Sequence, residues 1–224
     1  EALMAAFDRF YKGDIAEEMV DFFQENQGDL TLEDFASYQP IWADPIHTIY
    51  RGYDVYTSPP TSRGGLEVAM QLNLIEGFDI AELGHGSPES IHLMAEAIKV
   101  TKSDIYEYVA DQKFTDVPIS EMLSKEYAFT RRKLIDKENS VPYPAHGNIR
   151  KSTTASQVAG QTEIPKGPTF KEIFEPSYDT TSFSIVDQFG NAIACTPTLG
   201  GGFGNRVVAG DTGVLLNNGM RLGS

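Results

Sequence analysis

Residues 178–205 read YDTTSFSIVDQFGNAIACTPTLGGGFGN. Phe183 and Ile185 alternate with Ser182 and Ser184, the period-two pattern of a half-buried strand. DQFGN (187–191) is a turn, and AIACTPTL (192–199) is the returning strand. A Gly-rich loop, GGGFGN (200–205), follows, and GVLLNNG (213–219) reads as a third strand with its turn. Three strands with one apolar face need a partner sheet or a helix layer.

Upstream, the periodicity changes from two to 3.6. Between Asp14 and Gln24, Ile15, Met19, Phe22 and Phe23 mark one face of a helix that Gly28 ends. Thr31 with Asp34 three residues on resembles a capping box. PIHTIYRGYDVYTSPP (45–60) is rich in β-branched and aromatic residues and predicts one or two strands closed by Pro59-Pro60. A helix is expected over roughly 65–77. Ser87 supplies an N-cap and Pro88 the first position of another helix, along which Ile91, Met94, Ala95, Ile98, Ile105 and Val109 keep helical spacing. A short helix is expected near Ser120. Residues 137–168 are rich in Pro, Gly, Ser and Thr, the composition of a mobile surface segment or linker. Helices first and strands later predict an α+β or a layered α/β arrangement.

Composition narrows the function classes. The chain has 224 residues, 41% hydrophobic and 11% aromatic, enough for a real core. A net charge of −14, with basic residues scattered, argues against a nucleic-acid partner. No apolar run approaches the roughly 20 residues of a membrane-spanning helix. A single cysteine, Cys195, excludes an internal disulfide and a Cys-based zinc site. Residues 2–10 read as helix interior with no start signal, and neither an initiator Met nor a signal-peptide pattern precedes them. The expectation is a segment of a longer chain whose compartment is not written in these residues.

Thr180 stands between the polar approach and the hairpin. A threonine hydroxyl is a weak nucleophile without a base. If the bond before it is cut, the new α-amine, with an ordinary pKa of roughly 7.7–8.0, supplies that base within the same residue. Such a threonine must be exposed by cleavage and then held rigid, and a mobile segment followed by a strand-initial Thr meets both needs. Threonine is also favoured in strands on packing grounds alone, so the pattern leaves both readings open.

The run TTSFSIVDQFGNAIACTPTL, with the later FG and VVAGDTGVLLNN, resembles the start of the small subunit in the γ-glutamyltranspeptidase family of N-terminal-nucleophile hydrolases. FYKGDIAEEMV, GDLTLEDFASYQP, YRGYDVYTSPPTSRGG and SPESIHLMAEAIKV look like consecutive pieces of that family's large subunit, and FTDVP and LSKEYA follow in order. The resemblance covers nearly the whole chain apart from 137–168. It implies an αββα four-layer sandwich, only part of it in this chain. Residues 1–179 would be the C-terminal part of a large-subunit-like region and 180–224 the N-terminal part of a small-subunit-like region. It further implies a precursor that cuts itself between Asp179 and Thr180, with Thr180 as nucleophile and the Thr198 hydroxyl bonded to it. The reaction implied is hydrolysis or transfer of a γ-glutamyl or similar glutathione-type amide, through an acyl–Thr180 ester, to water or an amine. No metal or organic cofactor is needed.

The family holds its substrate α-amine with polar side chains at three positions occupied here by Gly200, Gly219 and Leu222, none of which offers a side-chain acceptor. A buried ammonium without acceptors is costly, so an acylase acting on dicarboxylic or cephalosporin-type amides is the rival expectation. An unprocessed or truncated non-catalytic piece is another. The resemblance puts the family's oxyanion glycines and carboxylate-binding residues outside 1–224, to be supplied by remaining segments or another chain. PPTSRGG departs from the family's usual PPPSSGG, and KSD at 102–104 replaces a commoner ADR.

Other residues carry less. GGGFGN could cradle an anion but lacks the Lys-Ser/Thr of a nucleotide loop, so a plain connection is expected. His92 and Glu96 share a helix face without an evident third metal ligand. His47, His85 and His146 are isolated, Cys195 is expected to pack in a strand, and Arg206 is expected at the surface.

Overall fold

The computed structural model describes residues 1–60, 62–149 and 180–219. In chain order these form helices α1 (Ala2–Tyr11), α2 (Asp14–Glu25) and α3 (Leu32–Ser37), strands β1 (Ile46–Tyr50) and β2 (Tyr53–Thr57), helices α4 (Gly64–Ile75), α5 (Ile80–Leu83), α6 (Pro88–Tyr108), α7 (Ile119–Met122) and α8 (Lys125–Arg132), and strands β3 (Phe183–Val186) and β4 (Ala192–Cys195). Helix and strand are both present, as the α+β expectation requires. The chain divides into two units: residues 1–41 with the β3–β4 region, and residues 42–149.

In the 42–149 unit, β1 and β2 pair antiparallel from Ile46↔Thr57 to Tyr50↔Tyr53. Arg51 (φ 49°) and Gly52 (φ 85°) both turn left-handed, the geometry of a tight two-residue hairpin whose twist matches its strands. Gly65 allows a close approach, because a Cβ there would lie 2.1 Å from the Ser58 carbonyl oxygen. Ser87 caps α6 by accepting from the Ser90 N–H at 3.1 Å, with Pro88 next. Two apolar clusters form the core. Leu66, Met70, Ile105, Tyr108, Val117 and Met122 make one; Leu74, Phe78, Leu93, Ala97, Val100 and Ile135 make the other. Buried Asn73 joins three elements. It accepts from Thr48 Oγ1 (2.8 Å) and Lys125 Nζ (2.6 Å) and donates to the Leu123 carbonyl (2.9 Å), so its polar atoms are satisfied where desolvation would otherwise be costly.

The inward face of α6 differs from the one that apolar spacing predicts. Ile91, Met94 and Ile98 are exposed, whereas Leu93, Ala97, Val100, Thr101 and Asp104 are buried. The helix turns Leu93, Val100, Tyr108 and, as its spacing predicts, Ile105 into the core. Two buried acids, Glu96 and Asp104, go with them and are met by Ser140 and Arg131, while Ile91, Met94 and Ile98 take the outer face.

Residues 137–149, read from composition as mobile, are tied down by hydrogen bonds to α6 and α8. Lys99 Nζ donates to the Val141 carbonyl (2.5 Å), Ser140 Oγ to Glu96 (3.1 Å), Arg131 to the Ala145 carbonyl (2.8 Å), and Gly147 N–H to Asp104 (2.8 Å). The remainder of that stretch, 150–168, lies outside the described residues.

In the other unit, α2 buries Ala16, Met19 and Val20 at i, i+3, i+4 spacing, with Phe22 and Phe23 half-buried. The capping box at α3 forms as its residues predict. Thr31 Oγ1 accepts from Asp34 N–H (3.3 Å), and Asp34 Oδ2 accepts from Thr31 N–H (2.8 Å).

β3 and β4 pair antiparallel, Phe183 opposite Cys195 and Val186 opposite Ala192. The expected half-buried face is not covered by the described residues: Ile185 is 57% and Val186 70% exposed. The expected third strand is reduced to one bridge, Val208↔Leu215, closed by backbone bonds Ala209→Val214 and Leu216→Val207. Further along, the segment is held by single backbone bonds, Asn205 N–H to the Leu216 carbonyl and Asn218 N–H to the Leu199 carbonyl, rather than by a continued ladder among the described residues.

Candidate functional site

The turn that joins β3 to β4 is built around one carboxylate. Asp187 Oδ1 accepts from the N–H groups of Phe189 (2.9 Å) and Asn191 (2.8 Å), and Oδ2 from the Asn191 side chain (2.7 Å). Gly190 completes the reversal at φ 83°. The Asn191 side-chain donor, then the backbone donors, hold the Asp187 carboxyl below the usual carboxylate range. This local closure brings the two arms flanking the hairpin together, so that Thr180 and Thr198 face each other as a β-bridge.

Their hydroxyl oxygens lie 2.9 Å apart, within hydrogen-bond distance, and both residues are exposed. Thr198 Oγ1 also accepts from the Gly200 N–H at 2.9 Å. Either hydroxyl can donate across this contact, and in one of the two arrangements Thr198 gives its proton towards Thr180 Oγ1. Such a donor lowers the cost of charge on the Thr180 oxygen but removes no proton from it. A base is still required for that proton.

The loop that carries Thr198 onward is fixed by its own N–H groups. Gly201 N–H donates to Asn218 Oδ1 (2.8 Å), Gly204 N–H to the Gly201 carbonyl (2.8 Å), Asn205 N–H to the Leu216 carbonyl (3.1 Å) and Arg206 N–H to the Phe203 carbonyl (2.8 Å). These four donors are thereby engaged within the chain. Gly200 is buried at φ 94°, and a Cβ there would fall 1.8 Å from Asn218 Oδ1. The place a side chain at 200 would need is held by the Asn218 amide. Gly219 N–H donates to Asn217 Oδ1 at 2.7 Å. Asp179 and Leu222 lie outside the described residues.

The remaining candidates are separate from this pair. His92 Nε2 donates to the Asp136 carbonyl (2.9 Å), while Glu96 meets Lys99 (2.6 Å) and Ser140. The helix-face pair is thus divided between different partners. His47 meets Asp54 at 2.7 Å across the β1–β2 hairpin, and the His146 ring packs edge-on against Tyr108. Cys195 is half-buried in β4, and Arg206 is exposed. Asn218 is the residue that sequence reasoning passes over. Its only signal is the NN pair after an apolar run, and the partner that gives it meaning is 17 residues away.

Comparison with known proteins bears on this arrangement. The gamma-glutamyltranspeptidase family model matches residues 4–222. The glutathione hydrolase proenzyme of Escherichia coli K12 is 39% identical over 213 residues, 95% of this chain and 33% of the relative. The acylase ACY 1 proenzyme of Pseudomonas sp. SE83 is 34% identical over 95% of this chain and 34% of its own length. The chain therefore spans about a third of the length of these curated relatives. Among solved structures, the Helicobacter pylori gamma-glutamyltranspeptidase aligns at 30% identity with a TM-score of 0.62, over 69% of this chain and 44% of that one. The cephalosporin acylase of Bacillus halodurans aligns at 36% identity with a TM-score of 0.53, over 58% and 24%.

Proposed function

The chain belongs to the gamma-glutamyltranspeptidase family, and from that premise we propose that it carries the nucleophile of a self-processing N-terminal threonine amidohydrolase or acyltransferase. The observation that carries the reading is the 2.9 Å contact between the Thr180 and Thr198 hydroxyls. The Thr180 oxygen attacks the Asp179 carbonyl, forming an ester and releasing the α-amine of Thr180. Water hydrolyses that ester, leaving the Asp179 carboxylate and a free hydroxyl. In turnover the amine takes the hydroxyl proton as Thr180 attacks a substrate amide, and returns it to the departing amine. Water or an acceptor amine then breaks the acyl–Thr180 ester. Thr198 donates to the Thr180 oxygen while charge develops. On this reading residues 1–179 belong to a large-subunit-like region and 180–224 to a small-subunit-like one. The β3–β4 hairpin is part of an αββα four-layer sandwich whose other strands cover its exposed apolar side chains.

The substrate class has two readings. A γ-glutamyl amide of the glutathione type fits the relative named a glutathione hydrolase. Gly200, without a side chain and with its place filled by Asn218, favours the second: a dicarboxylic or β-lactam-linked amide lacking the α-amine. The relatives named acylases stand on that side.

Intact-mass measurement of the full-length protein tests the mechanism. The expected result is two polypeptides with the break between 179 and 180, and neither break nor amidase activity in Thr180→Ala. A single uncleaved species with full activity removes Thr180 from the chemistry.

A further inference from the structure

Glu18 is exposed on α2, yet its carboxylate meets a turn 193 residues later in the chain. Glu18 Oε1 accepts the Asp211 N–H at 2.5 Å. The same oxygen lies over Gly210, where a Cβ would fall 2.7 Å from it and where the backbone turns left-handed at φ 55°. The turn is closed by its own groups. Thr212 N–H and Oγ1 both donate to the Ala209 carbonyl, at 3.2 and 2.5 Å, and Val214 N–H donates to Thr212 Oγ1 at 3.1 Å. The Asp211 N–H takes no part in that closure, and Glu18 supplies its acceptor. Beyond the turn, the Val208↔Leu215 bridge and the bond from Asn218 N–H to the Leu199 carbonyl lead back to the loop that follows Thr198. Glu18, the turn and both threonines belong to one unit. In sequence, the 179–180 bond lies between Glu18 and everything it holds.

We propose that Glu18 is a clasp between the two polypeptides that the 179–180 break creates: its carboxylate, seated over Gly210 and bonded to the Asp211 N–H, holds the polypeptide beginning at Thr180 against the one ending at Asp179. The inference rests on the Thr180 reading above, which supplies the break. Before the break the contact is a tertiary hydrogen bond within one chain. Afterwards it joins two molecules, and the backbone no longer keeps the partners close when it opens. An ionised acceptor suits this task, because hydrogen bonds to charged groups are stronger than neutral ones. Glycine at 210 suits it too, since a side chain there would press on the carboxylate. Both Glu18 and Asp211 are exposed, so water competes for the bond and its effect is that of one surface hydrogen bond.

The experiment uses the full-length protein with a purification tag at its C-terminus, its break at 179–180 verified by intact mass. The protein is held on resin by the tag and washed with rising urea below its unfolding transition, and the polypeptide ending at Asp179 is measured in the wash. Glu18→Ala should release it at lower urea, with an apparent dissociation constant about three- to tenfold higher, the scale of one exposed hydrogen bond. Glu18→Gln keeps an oxygen for the Asp211 N–H and should hold nearly as well as wild type. Gly210→Ala, which sets a methyl against the carboxylate, should release early, as Glu18→Ala does. Hydrogen exchange at the Asp211 amide should quicken in Glu18→Ala, both in the broken protein and in the unbroken Thr180→Ala chain. Release of Glu18→Ala at the wild-type urea concentration overturns the clasp, even where exchange at Asp211 quickens. Glu18→Gln releasing as early as Glu18→Ala also overturns it, because the hydrogen bond is then not what holds the pair. A wild-type chain that stays whole defeats the Thr180 reading and the clasp with it, whereas a broken chain whose release ignores Glu18 defeats the clasp alone.

Discussion

Replacing Arg131 by Met should produce a stability loss with a specific pH signature. Arg131 and Asp104 form a buried pair, their side chains 7% and 0% exposed, with Nε to Oδ2 at 3.0 Å and Nη2 to Oδ1 at 2.9 Å. Nη2 also donates to Ser103 Oγ (2.9 Å) and to the Ala145 carbonyl (2.8 Å). Burial pushes the Asp104 carboxyl above the usual carboxylate range, although the Gly147 N–H and the Arg131 charge oppose it. Without Arg131, the Gly147 N–H and the neighbouring Tyr127 side chain are left to offset burial. Removing one partner of such a pair costs about 3–5 kcal/mol, and Met fills much of the space, so little of this cost is cavity.

The sign follows from proton uptake. The folded Asp104 pKa lies above the unfolded value of roughly 3.9, so folding favours the protonated acid. Stability is fully present below that unfolded value and is lost as pH rises through the folded pKa, by up to about 1.4 kcal/mol per pH unit. The Arg131→Met penalty should therefore be full at pH 7 and shrink towards pH 4. Denaturant unfolding at both pH values, with hydrogen exchange read across α6, α8 and residues 143–149, measures it. Arg131→Met with Asp104→Leu should recover most of the loss, because no uncompensated charge remains. A penalty equal at pH 4.5 and 7, or below about 1 kcal/mol at pH 7, refutes this account of the pair.

Three further outcomes are expected. Thr198→Val should lower kcat by about 10- to 100-fold, the value of a hydrogen bond to a charged oxygen, with Thr198→Ser retaining most activity; steady-state kinetics showing Val equal to Thr would remove the hydroxyl contact from the mechanism. If the Thr180 amine is the base, log kcat/KM should climb with unit slope to about pH 8 and level off, whereas a profile flat from pH 6 to 9 points to another base. Gly200→Ala should cost roughly 1–2 kcal/mol in backbone strain alone at φ 94° and, by displacing Asn218, speed exchange of the Gly201 amide; unchanged exchange would show that the loop absorbs a Cβ at no cost.

What could be read without the structure is what nearest neighbours along the chain decide. The Thr31–Asp34 box, the Ser87–Pro88 start of α6 and the Asp187–Asn191 turn each close on partners within four residues. Such contacts form wherever the chain places those residues, so local residue types suffice. The approach of Thr180 to Thr198 is intermediate: the alternating pattern and the turn predict a hairpin, and resemblance to a family adds the expected hydroxyl contact across 18 residues.

Tertiary structure decided the rest. The face that α6 turns inward, the docking of residues 137–149 and the amide over Gly200 all depend on partners brought from elsewhere in the chain. Asp104 reads as a surface acid until Arg131, 27 residues later, compensates its burial. Gly200 reads as a flexible loop residue until Asn218 fills its side-chain space. Periodicity records which residues are apolar, but burial of a polar group depends on whether a distant donor or acceptor offsets its desolvation, and only the folded chain settles that pairing.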